Sequence, residues 1–448
     1  MISKISVDNF TSFNHFDFDL IENKTDKKAK NLAIIYGENG IGKTCLIRCF
    51  ELLKKSSDSL LAIESFNDFF GSIRNSNKGK VDESIPMLFA NALDEFRVSG
   101  YINKYYKINA TKEMRVQYEL ILNKKKYVYL MTFDRKSILT EKLICNGEII
   151  FSSTNTKLEL SDADFKNGEI VEKCNSYHRM YFGDKHTFLS CLLFVEKNVS
   201  QSFFKTSISK NLLAFLRYIQ SMIVITKEDE ESYPLSDIPN YSSDFLTHIA
   251  NGDYNDRLKK KIERTETALS MFFSSLYSNI NSVEYQIETS DSGKQRYHLY
   301  FVENKNKETI HVPFELESTG TRKMASIFTG FYEMTKNKKT IVIDEIDNGI
   351  NDILLRSVFE SLEETISGQL IVTTHNTLLL RYPIKKYIYL LDKDENDAVV
   401  SYSLDEFGRK IQAGTDIIGQ YLKGLYGGVP QSGAFSMKYI IEALKDYE

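Results

Sequence analysis

The sequence predicts an α/β fold: a mixed sheet core joined to an antiparallel β subdomain, with a helical insertion. Three observations predict it. An apolar run, Asn31-Leu-Ala-Ile-Ile-Tyr36, ends in a glycine-rich loop and gives way to helical spacing at Leu46, Phe50 and Leu53, the order strand, loop, helix. Two further apolar runs of the buried-strand type lie about 300 residues later, each ending in polar residues. Between the first run and these two, residues 96–151 alternate apolar and polar side chains, and residues 184–280 carry helical patterning.

The 448 residues are 42% hydrophobic and 26% charged, which allows a sizeable core and argues against a disordered or fibrous chain. No run approaches the roughly 18 apolar residues that span a bilayer, and the start, Met1-Ile-Ser-Lys-Ile-Ser, lacks the basic-then-apolar pattern of a signal peptide. The expectation is a cytoplasmic protein with no membrane partner. Five cysteines (Cys45, Cys49, Cys145, Cys174, Cys191) form no CxxC pair, so neither a zinc site nor a disulfide framework is indicated. With 57 basic against 61 acidic side chains, nucleic-acid binding would have to come from a local patch.

Along the chain, Ile2–Phe10 and Phe16–Leu20 alternate as two half-buried strands, most simply a hairpin, followed by a polar stretch from Glu22 to Lys30. Arg115-Val-Gln-Tyr-Glu-Leu-Ile-Leu and Lys126-Tyr-Val-Tyr-Leu-Met-Thr-Phe read as strands of an antiparallel sheet. The acidic interruption at Lys227–Ser243, with Pro234 and Pro239, reads as a loop inside the helical region; strand-like runs follow at Val283–Ile287 and Tyr297–Val302. The expected divisions are 1–155, an N-terminal lobe; 156–300, a mainly helical insertion for dimerisation or partner binding; and 301–448, a C-terminal lobe.

Gly37-Glu38-Asn39-Gly40-Ile41-Gly42-Lys43-Thr44 fits GxxxxGK[ST] at every fixed position and sits between a strand and a helix. In that pattern the glycines let backbone N–H groups curl around phosphates, Lys43 supplies a point charge and Thr44 ligates magnesium. Thr340-Ile-Val-Ile-Asp344-Glu345 is an apolar strand ending in two acids: Asp344 would support the metal, and Glu345 would polarise an attacking water as general base. Gln369-Leu-Ile-Val-Thr-Thr-His375 places a histidine past a strand's C-terminal end, where ligands bind open parallel sheets. His375 would contact the terminal phosphate or orient the water. Ser318-Thr-Gly320 caps a helix start whose apolar face carries Met324, Ile327, Phe328 and Phe331.

This order of motifs resembles the ABC-type P-loop ATPase head shared by SMC, recombination-repair and OLD-like proteins. The resemblance covers about residues 1–55 and 310–430, and it implies ATP and Mg2+ as ligands. It also implies that Ser318 and Gly320 act on the nucleotide of a second copy, so that two heads sandwich two nucleotides as a homodimer or higher oligomer. Asp347 and Asn348 would occupy the D-loop position. Glu317-Ser-Thr-Gly-Thr departs from the LSGGQ of transporters and looks more like an ESxGT variant of a bacterial subgroup. No Q-loop glutamine is assigned. The tail, Asp405-Glu-Phe and then Tyr421-Leu-Lys-Gly-Leu-Tyr-Gly-Gly-Val-Pro430, is similar to the YLxGxYGxxP stretch of AAA-family ATPases from bacterial abortive-infection and other anti-phage loci, such as the RloA/AbiL, PARIS and Septu types. That likeness implies an ATP-hydrolysing sensor or scaffold that controls a neighbour-encoded effector such as a nuclease, with DNA or a phage protein as trigger. The alternative it leaves open is a RecF- or SMC-like DNA clamp; a largely non-hydrolysing scaffold is a third.

Two other features have plainer readings. Asp392-Lys-Asp-Glu-Asn-Asp397 resembles a Toprim DxD, yet only about fifty residues follow, so a solvated turn is expected. Arg257–Arg264 reads as a solvated helix face.

Overall fold

A computed structural model describes residues 1–23, 28–76, 96–227, 240–290, 293–305, 308–406, 411–412, 414–429 and 436–445. Pro234, Pro239 and Pro430 lie outside the described residues, as does part of the Glu22–Lys30 stretch.

The N-terminal hairpin forms as expected, from β1 (Ile2–Phe10) and β2 (Phe13–Asp19), paired antiparallel. Next comes β3 (Leu32–Gly37), buried along its whole length, and then α1 (Lys43–Ser76). The alternating region becomes β4 (Met114–Leu122), β5 (Lys125–Phe133), β6 (Ile138–Cys145), β7 (Glu148–Thr154) and β8 (Leu158–Leu160). With β1 and β2 these make a seven-stranded antiparallel sheet, β8-β7-β6-β5-β4-β1-β2.

Helices α2 (Gly168–Tyr181), α3 (Phe188–Lys197), α4 (Gln201–Ser207) and α5 (Lys210–Ser221) follow, and the chain then enters β9 (Ile223–Ile225). After α6 (Lys259–Leu276) come β10 (Ile280–Thr289), β11 (Gln295–Lys305) and β12 (Glu308–Pro313), a second antiparallel group. The C-terminal part holds α7 (Thr319–Asn337), β13 (Thr340–Ile343), α8 (Asp352–Glu363), β14 (Gln369–Thr373), β15 (Ile388–Lys393) and β16 (Val399–Ser403).

The central sheet runs β9-β13-β14-β3-β15-β16; the first five strands are parallel and β16 closes the edge antiparallel. A parallel sheet covered on both faces needs apolar side chains pointing both ways, which explains the continuous hydrophobic runs. The two-residue period sorts them. Ala33, Ile35, Val342, Ile371 and Leu391 join one hydrophobic cluster with α1 and the antiparallel sheet, while Leu32, Ile34, Ile341, Ile343, Leu370, Val372 and Leu390 join the other, with α7 and α8. The architecture is thus the α/β one expected, with mixed sheets and helices.

The span expected to be mainly helical, 156–300, departs from that reading in two ways. It contributes β9 to the central sheet and β10 and β11 to the second antiparallel group. Its helices α2–α5 also share a cluster with the antiparallel sheet, through Ile170, Leu192, Phe204 and Phe215. Three residues of β9 are too short a run to display a period, so pairing with β13 alone makes them a strand.

Two buried polar side chains fasten these layers. The Gln369 amide donates to the carbonyls of Ile2 and Lys30 at 2.8 and 2.9 Å and accepts from Ile2 N at 2.9 Å, tying β1 to β14. Glu141, on β6, accepts from the amides of Phe188 and Leu189 at 2.6 and 2.9 Å and from the Tyr129 hydroxyl at 2.9 Å, fixing the start of α3 to the sheet. Burial outweighs those donors and pushes the Glu141 carboxyl up to about 7.

Within Asp392–Asp397, the first two residues end β15 and residues 394–398 form the expected turn to β16, closed by Asp397 N to Asp394 O at 3.0 Å. Arg257 lies just before α6, and Arg264 pairs with Asp244 at 3.4 Å from an exposed face. No helix among the described residues is long and apolar enough to cross a membrane.

Candidate functional site

The parallel strands end together. Register pairs Ile343 with Val372, Thr373 with Ile35, and Gly37 with Leu391, so the Gly37–Thr44 loop, Asp344 and His375 gather at the C-terminal edge of the sheet, where such sheets bind ligands.

Between β3 and α1 the chain turns through Gly40 (φ +82°) and Gly42 (φ +118°), left-handed values that a Cβ disfavours. Gly42 is also sterically required, since a Cβ there would stand 2.7 Å from the Phe13 ring of the N-terminal hairpin. Glu38, Asn39 and Gly40 are exposed, Ile41 and Gly42 buried, and Thr44 is exposed on the first turn of α1. Lys43 folds back under the loop, its Nζ donating to Gly37 O at 2.8 Å and Glu38 O at 3.1 Å. Burial lowers its pKa, while Asp344, Glu345, Asp347 and Glu38 hold it up. The result is an ammonium and a helix N-terminus at the mouth of one loop, a fit for phosphate.

Asp344 follows β13 and is 1% exposed. Burial raises its carboxyl above the usual aspartate range, opposed by the hydroxyls of Thr373 and Thr44. Thr373 Oγ1 donates to Oδ1, whereas Oδ2 is buried without a hydrogen-bond partner among the described residues. A buried carboxylate oxygen left unpaired is costly, about 1–3 kcal/mol, and a cation resolves it. Magnesium usually takes one or two carboxylates and completes its shell with phosphate and water, so this donor set fits it. Among the described residues no cluster of three or more His, Cys, Asp or Glu side chains could hold a metal by itself.

Glu345 adopts φ +46°, a strained value for a residue with a Cβ. Its amide donates to Thr373 Oγ1 at 2.7 Å, its carbonyl accepts from Lys323 Nζ at 2.8 Å, and its carboxylate pairs with Lys227 at 3.4 Å. His375 is exposed; its amide donates to Asp347 Oδ2 at 2.9 Å. Burial, then the nearby Lys43 charge, lowers the imidazole pKa despite three surrounding acids, favouring the neutral ring. Tyr36 OH donates to Asn376 O at 2.8 Å, linking β3 to the segment after His375.

Ser318 caps α7: its Oγ accepts from Thr321 N at 3.1 Å. Gly320 presses against the turn after Glu345, since a Cβ there would lie 2.1 Å from Gly349 O. No hydrogen bond joins Ser318–Thr321 to the Gly37–Thr44 loop among the described residues. The structure thus brings together Lys43, Thr44, Asp344, Glu345 and His375, while Gly320 packs against Gly349 and Ser318 bonds only within its own helix start among the hydrogen bonds of the described residues.

Sequence reasoning missed Thr373, Lys323 and Lys227. Thr373 carried a usable signal, a hydroxyl at the last position of a buried strand. The two lysines carried none.

Residues 196–381 match the family model described as "AAA domain, putative AbiEii toxin, Type IV TA system". That span contains Ser318, Gly320, Asp344, Glu345 and His375 and begins after the Gly37–Thr44 loop. None of the curated proteins compared with the chain matches it. Among solved structures, the chain is similar to an SmcHead bound to the C-winged helix domain of ScpA, at 15% identity over 90% of this chain and 98% of that one, with a TM-score of 0.45. It is also similar to a Pyrococcus furiosus Smc head domain with an extended coiled coil bound to the C-terminal domain of ScpA (13% identity, 90% and 97% coverage, TM-score 0.42). A third is the SMC head domain from Thermotoga maritima (11% identity, 90% and 98% coverage, TM-score 0.40).

Proposed function

We propose that this chain binds ATP with magnesium at the Gly37–Thr44 loop and hydrolyses it to ADP and phosphate. The observation that carries this reading is Asp344: a buried carboxylate with one oxygen satisfied by Thr373 and the other unpaired, at the sheet edge it shares with Lys43. The loop amides and Lys43 hold the phosphates, and Thr44 and Asp344 hold the metal. Bound magnesium would offset phosphate charge. Glu345 takes the proton from the attacking water, and neutral His375 offers an N–H to the terminal phosphate.

Ser318 and Gly320 serve the nucleotide of a second copy. Ser318 is exposed at the N-cap of a 19-residue helix, which suits an act in trans. Two copies then close around two nucleotides.

The cellular role we assign is that of a cytoplasmic sensor or scaffold in bacterial anti-phage defence, which holds and releases a toxic effector such as a nuclease. It draws support from the abortive-infection and toxin–antitoxin wording of the matching family and from the Tyr421–Pro430 tail. The test is to tag the chain at its native locus, purify it gently with ATP and magnesium, and identify what accompanies it by mass spectrometry. A stoichiometric neighbour-encoded nuclease or other toxin is expected. Recovery alone, or with DNA and repair proteins, would contradict the defence role and favour a DNA clamp.

A further inference from the structure

The helix that starts at Ser318 grips the turn after β13 at both ends. At one end, Lys323 Nζ donates to Glu345 O at 2.8 Å, an oxygen that also accepts from Asn348 N at 3.0 Å. At the other, Gly320 lies so close to Gly349 O that not even a methyl group fits between them. The two grips lie three positions apart on α7, less than one helical turn, so a shift of the helix would carry both.

Glu345 is the residue least free to ignore such a movement. Its φ of +46° persists only while its surroundings enforce it, and they do so from both peptide groups: Thr373 holds its N–H and Lys323 holds its carbonyl. Its carboxylate meanwhile faces Lys227, beyond the end of β9, at 3.4 Å. A shift of α7 relative to the sheet changes the Lys323 restraint but not the Thr373 one, and so rotates the Glu345 backbone and re-aims its carboxylate.

We propose that Lys323 is a positioning residue that passes engagement of the Ser318–Gly320 helix start to the Glu345 carboxylate. Hydrolysis in one copy then depends on that copy's helix start meeting the nucleotide of the other. The inference rests on the reading of Glu345 as general base and adds the residue that makes the two halves of the composite site answer to each other.

The experiment compares the full-length wild type with Lys323→Met and Lys323→Arg. In the wild type, ATP turnover per chain rises with protein concentration. In Lys323→Met, the expected result is ATP affinity within about twofold of wild type, kcat lower by about ten- to hundredfold at similar KM, and turnover that no longer responds to protein concentration. Lys323→Arg, which keeps a long cationic donor, recovers most of the rate. In the ATP-free chain, amide exchange around Asn348 is faster in Lys323→Met than in wild type. Wild-type turnover in Lys323→Met, a loss of ATP affinity matching the loss of rate, no recovery with arginine, or unchanged exchange at Asn348 would each overturn the proposal. A wild type that binds ATP without hydrolysing it would overturn the ATPase reading itself, and this inference with it.

Discussion

Thr373 and Asp344 are joined by a 2.5 Å hydrogen bond from the threonine hydroxyl to Oδ1, and that hydroxyl also accepts the Glu345 amide at 2.7 Å. One buried side chain therefore orients the carboxylate assigned to the metal and the backbone of the residue assigned as base. Thr373→Val keeps the shape and removes both bonds. The expected cost is about 1–3 kcal/mol for each group left unsatisfied, read by urea denaturation, with Thr373→Ser close to wild type. ATP affinity in the presence of magnesium is expected to fall more than affinity in EDTA.

Gly320→Ala places a Cβ where Gly349 O now stands. Helix α7 and the turn after Glu345 must then separate, which costs about 1–3 kcal/mol of stability. Turnover is expected to lose its dependence on protein concentration, because the helix start no longer lies against the turn. A Gly320→Ala chain with wild-type melting temperature and turnover would contradict the packing described.

Legibility followed how local each signal was. Gly40 and Gly42 need their positive φ for reasons that lie within eight residues, and a buried strand ending in Asp344 and Glu345 shows itself in six, so both could be read from the chain. β9 could not, since Ile223–Ile225 becomes a strand only by pairing with β13. Neither could the roles of Lys323 and Lys227, which reach Glu345 from a helix and from the segment after an edge strand that meet only in the folded chain. The helices after residue 184 were legible as helices, but nothing in their period told that they would join the core of the antiparallel sheet.

Two of the buried groups that set the pH dependence of stability, Glu141 and His186, act with opposite sign. Glu141 titrates near 7 in the fold, above the ordinary glutamate value, so the folded chain binds more protons than the unfolded one in between. Its stabilising contribution is complete below about pH 4.5 and is lost as pH rises toward 7. His186 bonds Ser59 at 3.0 Å and is lowered to about 4, mainly by burial, then by Arg97 and Lys185, with Asp184 opposing. Its contribution is present above about pH 6.5 and is lost on acidification toward 4. Between about pH 4.5 and 6.5 these two slopes oppose each other, and the Met1 amino group, lowered to about 5 by burial, adds to the rising one. Glu141→Gln is expected to leave a net rise of stability with pH across that window, measured by urea midpoints at each pH; an unchanged profile would contradict the assignment.

Lys43→Ala removes the buried ammonium beneath the loop without touching Asp344. ATP affinity, measured by titration calorimetry, is expected to fall about ten- to hundredfold, the worth of one charge-assisted hydrogen bond. Unchanged affinity would place the phosphates elsewhere.

The most direct test of the central claim is Glu345→Gln mixed with ATP and magnesium, followed by light scattering and by single-turnover hydrolysis. Removing the base while keeping the loop, Lys43 and Asp344 should leave binding intact and stop the chemistry. The expected result is a long-lived ATP-bound assembly of two copies with hydrolysis at least about a hundredfold slower than wild type. Equal turnover in Glu345→Gln and wild type, or no ATP-dependent assembly in either, would contradict a composite ATPase site at this sheet edge.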